Sequence, residues 1–140
     1  MLTKYKKYIR DRVYMSGVDR DKLRIKQTAE VFTPQPLVVE ILDKLERENP
    51  ELFTDPTKTF IDNSCGDGEF LGEIVIRKME RSGCSLEQAL STTYGVDLME
   101  DNVQECKKRL AGPTPTEGIY RILNKNIVCH DGLTYNYNFD

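Results

Sequence analysis

Three aspartates, Asp62, Asp97 and Asp131, each close a short β-prone run, and behind the first comes Asn63-Ser64-Cys65-Gly66-Asp67-Gly68 ahead of an amphipathic stretch. In parallel sheets, ligands bind beyond the carboxyl ends of the strands, where the strand order reverses. Glycines such as Gly66 and Gly68 let the backbone approach a ligand closely and adopt positive φ, and the helix start that follows offers unpaired N–H groups. Each acid suits one part of a single adenosine-like ligand. Asp97 ends the second strand, as do the acids that accept ribose hydroxyls. Asp62 suits a cationic ammonium or sulfonium group, and Asp131-Gly132 suits an adenine amino group. Taken singly, each acid is equally a turn or cap residue. Their recurrence at three consecutive strand ends is what points to a pocket.

The elements that must position these acids are legible from periodicity. Strands are expected at Thr59–Asp62, Tyr94–Leu98 and Ile127–Cys129. A helix over 1–14 carries Tyr5, Ile9, Arg12 and Val13 near one face. Thr33 as N-cap and Pro34 at the first helical position open another, with Leu37, Val38, Ile41, Leu42 and Leu45 at helical spacing. Glu69 to Ser82 forms a third, with Phe70, Leu71, Ile74, Val75 and Met79 on its apolar side. Ser85 caps a shorter helix, and a further one runs to Leu110. Gly112-Pro113-Thr114-Pro115 then breaks the chain. Strands alternating with helices predict an α/β fold, a parallel sheet covered on both faces. The expected units are a helical arm over 1–30 and a nucleotide-type domain over 31–140.

Composition bounds the function. The chain has 140 residues, 39% hydrophobic and 31% charged, the balance of a globular protein. No apolar run spans a bilayer, so no membrane partner is expected. Cys65, Cys84, Cys106 and Cys129 are widely spaced and His130 stands alone, which predicts no metal site, no disulfide framework and a cytoplasmic setting. The net charge of −3 is uneven. Residues 1–26 hold nine Lys/Arg against three Asp, and the rest holds eleven Lys/Arg against twenty Asp/Glu. A basic arm with Tyr5, Tyr8 and Tyr14 suits nucleic-acid phosphates and bases, or packs as a solvated helix on its own domain.

Gly66 to Gly72 spells GxGxxxG, but the gap from Gly68 to Asp97 exceeds the roughly twenty residues of a dinucleotide fingerprint. Asp67 and Glu69 beside the helix start are expected to repel a pyrophosphate. No GxxxxGK[ST] is present. A cationic, phosphate-free cofactor fits better, and S-adenosylmethionine is the common one.

Four segments in order carry a family resemblance: Val31-Phe32-Thr33-Pro34, Asp62-Asn63-Ser64-Cys65-Gly66-Asp67-Gly68, Gly95-Val96-Asp97-Leu98 and Asn126-Ile127-Val128-Cys129-His130-Asp131-Gly132-Leu133. They resemble the FTP segment, the cofactor loop, the ribose motif and the adenine-contacting segment of adenine-N6 DNA methyltransferases, with Asn63 where Pro is usual and Asp97 where Glu is common. The resemblance implies a Rossmann-like methyltransferase fold, truncated after about three parallel strands. It implies that Phe32 and Thr33 line the methionine or adenine side of the pocket. Asp62 and the backbone of Ser64, Cys65, Gly66 and Gly68 hold the methionine end. Asp97 takes the ribose, Leu98 the adenine face, and Asp131 with Gly132 the adenine amino group. Cys65 is read as a small loop residue rather than a nucleophile.

The family's catalytic motif, [DNS]-P-P-[YFW], is absent, since the six prolines include no adjacent pair. No catalytic residue is therefore expected within the chain. One reading is the cofactor-binding part of a split methyltransferase in a DNA restriction-modification setting. DNA is then contacted directly or through a partner, and a second methyltransferase subunit supplies the chemistry. The other is a non-catalytic, methyltransferase-like protein that binds S-adenosylmethionine or modulates an intact enzyme. An open edge beside the first strand predicts a homodimer or a second polypeptide.

Overall fold

The computed structural model describes residues 1–12 and 33–140. Val13, Tyr14, Val31 and Phe32 lie outside the described residues. Three short strands form one parallel sheet: β1 (Phe60–Asp62), β2 (Thr93–Asp97) and β3 (Ile127–Cys129), in the order β1-β2-β3. Phe60 pairs with Thr93, and Gly95 with Ile127. Six α-helices surround it among the described residues: α1 (Leu2–Asp11), α2 (Gln35–Glu48), α3 (Glu69–Ser82), α4 (Leu86–Ser91), α5 (Glu100–Ala111) and α6 (Glu117–Asn126). The fold is therefore mixed α/β with a parallel sheet, as the alternation predicts.

Among the described residues, helices cover one face of the sheet and not both. Its two crossovers step in the same direction, and right-handed connections then fall on one side. The β1–β2 connection holds α3 and α4, and the β2–β3 connection holds α5 and α6. Helices α1 and α2 pack on α3 in turn. Phe60, Thr93, Gly95 and Ile127 share the helical side, and alternation places Ile61, Tyr94, Val96 and Val128 on the other. There Ile61 is 51% exposed. In place of a helix, Phe139 meets Tyr94 with ring centroids 4.8 Å apart, and Tyr135 joins Phe139 to His130.

Helix α3 sits between the sheet and its neighbours, so even its polar side chains are buried. Arg10 makes a two-pronged contact to Glu73, and Arg77 pairs with Asp43 and Glu46. Tyr5 and Ile9 of α1 belong to the same hydrophobic core as Leu71, Val75 and Leu110. Three cations of the described arm pair with the body's acids: Lys6 with Glu80 at 3.3 Å, Arg10 with Glu73 and Arg12 with Glu105, both at 3.0 Å. Tyr5 donates to Leu110 O and Tyr8 to Lys108 O. These tyrosines dock the helix instead of projecting to stack on bases.

Several boundaries shift. Helix α2 begins one residue later than its sequence suggests. Pro34, not Thr33, is the N-cap, because Leu37 and Val38 N–H both donate to Pro34 O. Helix α6 is missed by the sequence reading, although Thr116 caps it by accepting from Ile119 N–H at 3.2 Å. The preceding Gly-Pro-Thr-Pro run conceals that cap.

Candidate functional site at the carboxyl edge of the sheet

The centre of the site is the Asp97 carboxylate, at the end of the middle strand. Oδ1 accepts from Gly66 N–H at 3.0 Å, and Oδ2 accepts from Met99 N–H at 3.0 Å and the Asn102 side-chain amide at 3.1 Å. One acid thus joins the β1–α3 loop to the first turn of α5. The loop reaches it because Cys65 N–H donates to Val96 O, extending the β1–β2 pairing beyond Asp62. Gly68 N–H then donates back to Cys65 O. Gly66 and Gly68 take φ of 54° and 94°, a region that penalises any Cβ.

Asp62 faces the same space. Its Oδ1 accepts from Ser64 N–H at 3.0 Å. Burial pushes its pKa up, the Ser64 N–H opposes that, and the negative charge of Asp97 raises it further. Asp131 makes a turn: its Oδ1 accepts from Leu133 N–H at 2.9 Å, and its carbonyl accepts from Thr134 and Tyr135. A Cβ on Gly132 would lie 2.4 Å from Asn63 O. The loops after β1 and β3 therefore touch across the end of β2, and only a bare α-carbon permits it.

Asp62, Ser64, Gly66, Asp97, Asp131 and Gly132 are thus gathered at one edge, while other candidates serve different ends. The Cys65 side chain points into the core against Gly95. Its thiol is held well above the ordinary range by Cys106 and by burial, which removes it as a nucleophile. Gly68 is bare so that Cys106 Sγ can approach, at 3.0 Å from where a Cβ would stand. Leu98 is 54% exposed just past β2. Thr33 is half-buried before the α2 cap, and Phe32 lies outside the described residues.

The acids expected to repel a pyrophosphate are not the ones lining the site. Asp67, 1% exposed, pairs with Arg109 at 3.3 Å, and Arg109 also donates to Asp67 O at 2.9 Å. Asp62 and Asp97 carry the negative field instead. Asn102 and Arg109 are the organising residues that the sequence reading missed. Asn102 had a local signal, five residues beyond Asp97 in a helix's first turn. Arg109 had none, because its partner is 42 positions away.

A cavity of about 980 Å³ lies elsewhere, lined by Tyr5, Tyr8, Met79, Leu86, Pro113 and Ile119. It borders the C-terminal ends of α3 and α5, opposite the strand-end acids. Among the described residues no group of His, Cys, Asp and Glu is placed to hold a metal, and no helix is long and apolar enough to cross a membrane. Comparison with protein-family models, with curated proteins and with solved structures gives no match.

Proposed function

We propose that this chain is the cofactor-binding part of an S-adenosylmethionine-dependent adenine-N6 DNA methyltransferase, with a shortened Rossmann-like sheet, working with a chain that bears [DNS]-P-P-[YFW]. The observation that carries the reading is the crowding of Asp62 and Asp97. Neither carboxylate has a described ion-pair partner, and burial together with the charge of Asp97 disfavours the ionised form of Asp62. A sulfonium or ammonium group beside them relieves that repulsion, whereas a pyrophosphate worsens it. Bound there, S-adenosylmethionine supplies an electrophilic methyl group. Asp62 and the Ser64–Gly68 backbone hold the methionine end, Leu98 covers one adenine face, and Asp131 accepts from the adenine amino group.

The ribose contact is narrower than the family resemblance implies. A carboxylate offers about four acceptor positions, and three on Asp97 are filled within the chain. One ribose hydroxyl meets it directly. A second does so only if Asn102 or Gly66 yields. The touching Asn63 and Gly132 favour the second reading, a non-catalytic methyltransferase-like protein that binds S-adenosylmethionine or modulates an intact methyltransferase.

Calorimetric titration with S-adenosylmethionine, with size measured alongside, tests both. Binding that Asp97→Asn weakens about tenfold or more, the value of one charge-assisted hydrogen bond, supports the first reading. Methyl transfer to DNA is then expected only after the motif-bearing chain is added. A folded protein that shows no binding heat sinks it.

A further inference from the structure

We propose that the outer face of α2 is a self-complementary surface that pairs with α2 of a second copy, antiparallel about a two-fold axis. Leu37, Ile41 and Leu45 recur every four residues on this face and are 44%, 37% and 38% exposed, while Val38 and Leu42 are the apolar residues of the helix buried in the core. A helix satisfied as a monomer would be polar there. Glu40 and Lys44 are both exposed on the solvent flank of this stripe, one turn apart, and neither is in a described ion pair. The other charges of the helix differ in this respect: Asp43 and Glu46 are drawn inward to Arg77.

The charge order selects the occupant. In an antiparallel pair related by a two-fold axis, like flanks meet, so Leu37 faces Leu45 of the second copy and Glu40 faces its Lys44. The same two contacts are repeated by symmetry, as an isologous interface requires. A parallel arrangement would bring opposite flanks together and leave Glu40 without Lys44 of the second copy. The three side chains leave far less apolar area than the roughly 800 Å² per partner of a stable interface, so the association is weak, with a dissociation constant on the order of 100 μM. The inference is independent of cofactor binding.

Sedimentation equilibrium between about 20 μM and 1 mM, the range that brackets such a constant, tests it. The wild-type chain is expected to move from monomer to dimer across that range. Ile41→Glu, or Leu37→Lys if the first fails to fold, should leave a monomer with an unchanged melting temperature. Glu40→Lys and Lys44→Glu should each weaken the dimer about three- to tenfold, and the double swap should restore it. A monomer throughout overturns the proposal, as does a dimer insensitive to the Ile41 and Leu37 changes. A double swap no tighter than the single ones overturns it too, because a different partner or face would not be repaired by exchanging charges within one helix.

Discussion

Lys78 offers a measurable consequence of how α3 is buried. Its side chain lies at 1% exposure against the start of β2. Its ammonium donates to Ala89 O and Thr93 Oγ1, both at 3.1 Å, and to Thr92 Oγ1, with the Phe60 ring 5.2 Å away. Three donors meet three acceptors, but none of the three carries charge. Burial lowers the pKa from 10.5 to about 8, only partly opposed by Cys84. At about 1.36 kcal/mol for each tenfold change in proton affinity, that lowering is worth about 3 kcal/mol. The sign is opposite to that of a lysine in a salt bridge. Below pH 8 the folded chain carries the full burden of a desolvated charge. Between pH 8 and 10.5 the unfolded chain binds more protons than the folded one, so this residue's contribution to stability rises with pH. Lys78→Met keeps the length and removes the charge, and Thr93 Oγ1 still donates to Ala89 O at 2.8 Å. The variant should be neutral to more stable at pH 7 and should lack the rise. Urea unfolding of both proteins at pH 7, 8, 9 and 10, taken as a difference, isolates Lys78 from the other titrating groups. A difference that stays flat with pH, or that moves against the wild type above pH 8, refutes the reasoning.

Two further outcomes follow from the site. Asp62→Asn can keep the acceptor for Ser64 N–H while deleting one of two crowded charges. It should raise the melting temperature of the unliganded protein above the raised Asp62 pKa yet weaken binding of a cationic cofactor, so a gain in both stability and affinity would contradict the charge argument. Arg109→Met removes one side of the buried Arg109–Asp67 pair, at an expected cost of about 3–5 kcal/mol in denaturant unfolding. Adding Asp67→Asn should recover part of that loss, and strictly additive losses would show that the pair is not coupled.

What could be seen in the sequence was local. Helix α3 and strand β3 emerge at their expected limits because a glycine loop opens one and Asp131-Gly132 ends the other. The three strand-end acids also fall where alternating strands and helices place them. What stayed hidden depends on contacts remote in sequence. Arg109 reaches a loop 42 residues away, and Cys65 and Gly68 look like ligand-contacting loop residues until Gly95 and Cys106 are packed beside them. The bare sheet face was hidden for another reason. Alternation of strand and helix specifies right-handed crossovers, but the side they occupy depends on strand order, and β1-β2-β3 sends both to one side.

That strand order also explains why the glycine loop and the acids serve the fold and the site together. With β2 in the middle, its terminal acid is flanked by the loops of both neighbours. It is therefore the one carboxylate able to bond the Gly66 N–H on one side, while the next strand's His130 N–H donates to its backbone carbonyl. As a carboxylate it accepts from Gly66, Met99 and Asn102 at once. Burial raises the Asp62 pKa most, and the neighbouring charge of Asp97 raises it further. The loops of both neighbours thus bring two acids to one edge, and a cationic ligand of the kind proposed above would relieve that arrangement.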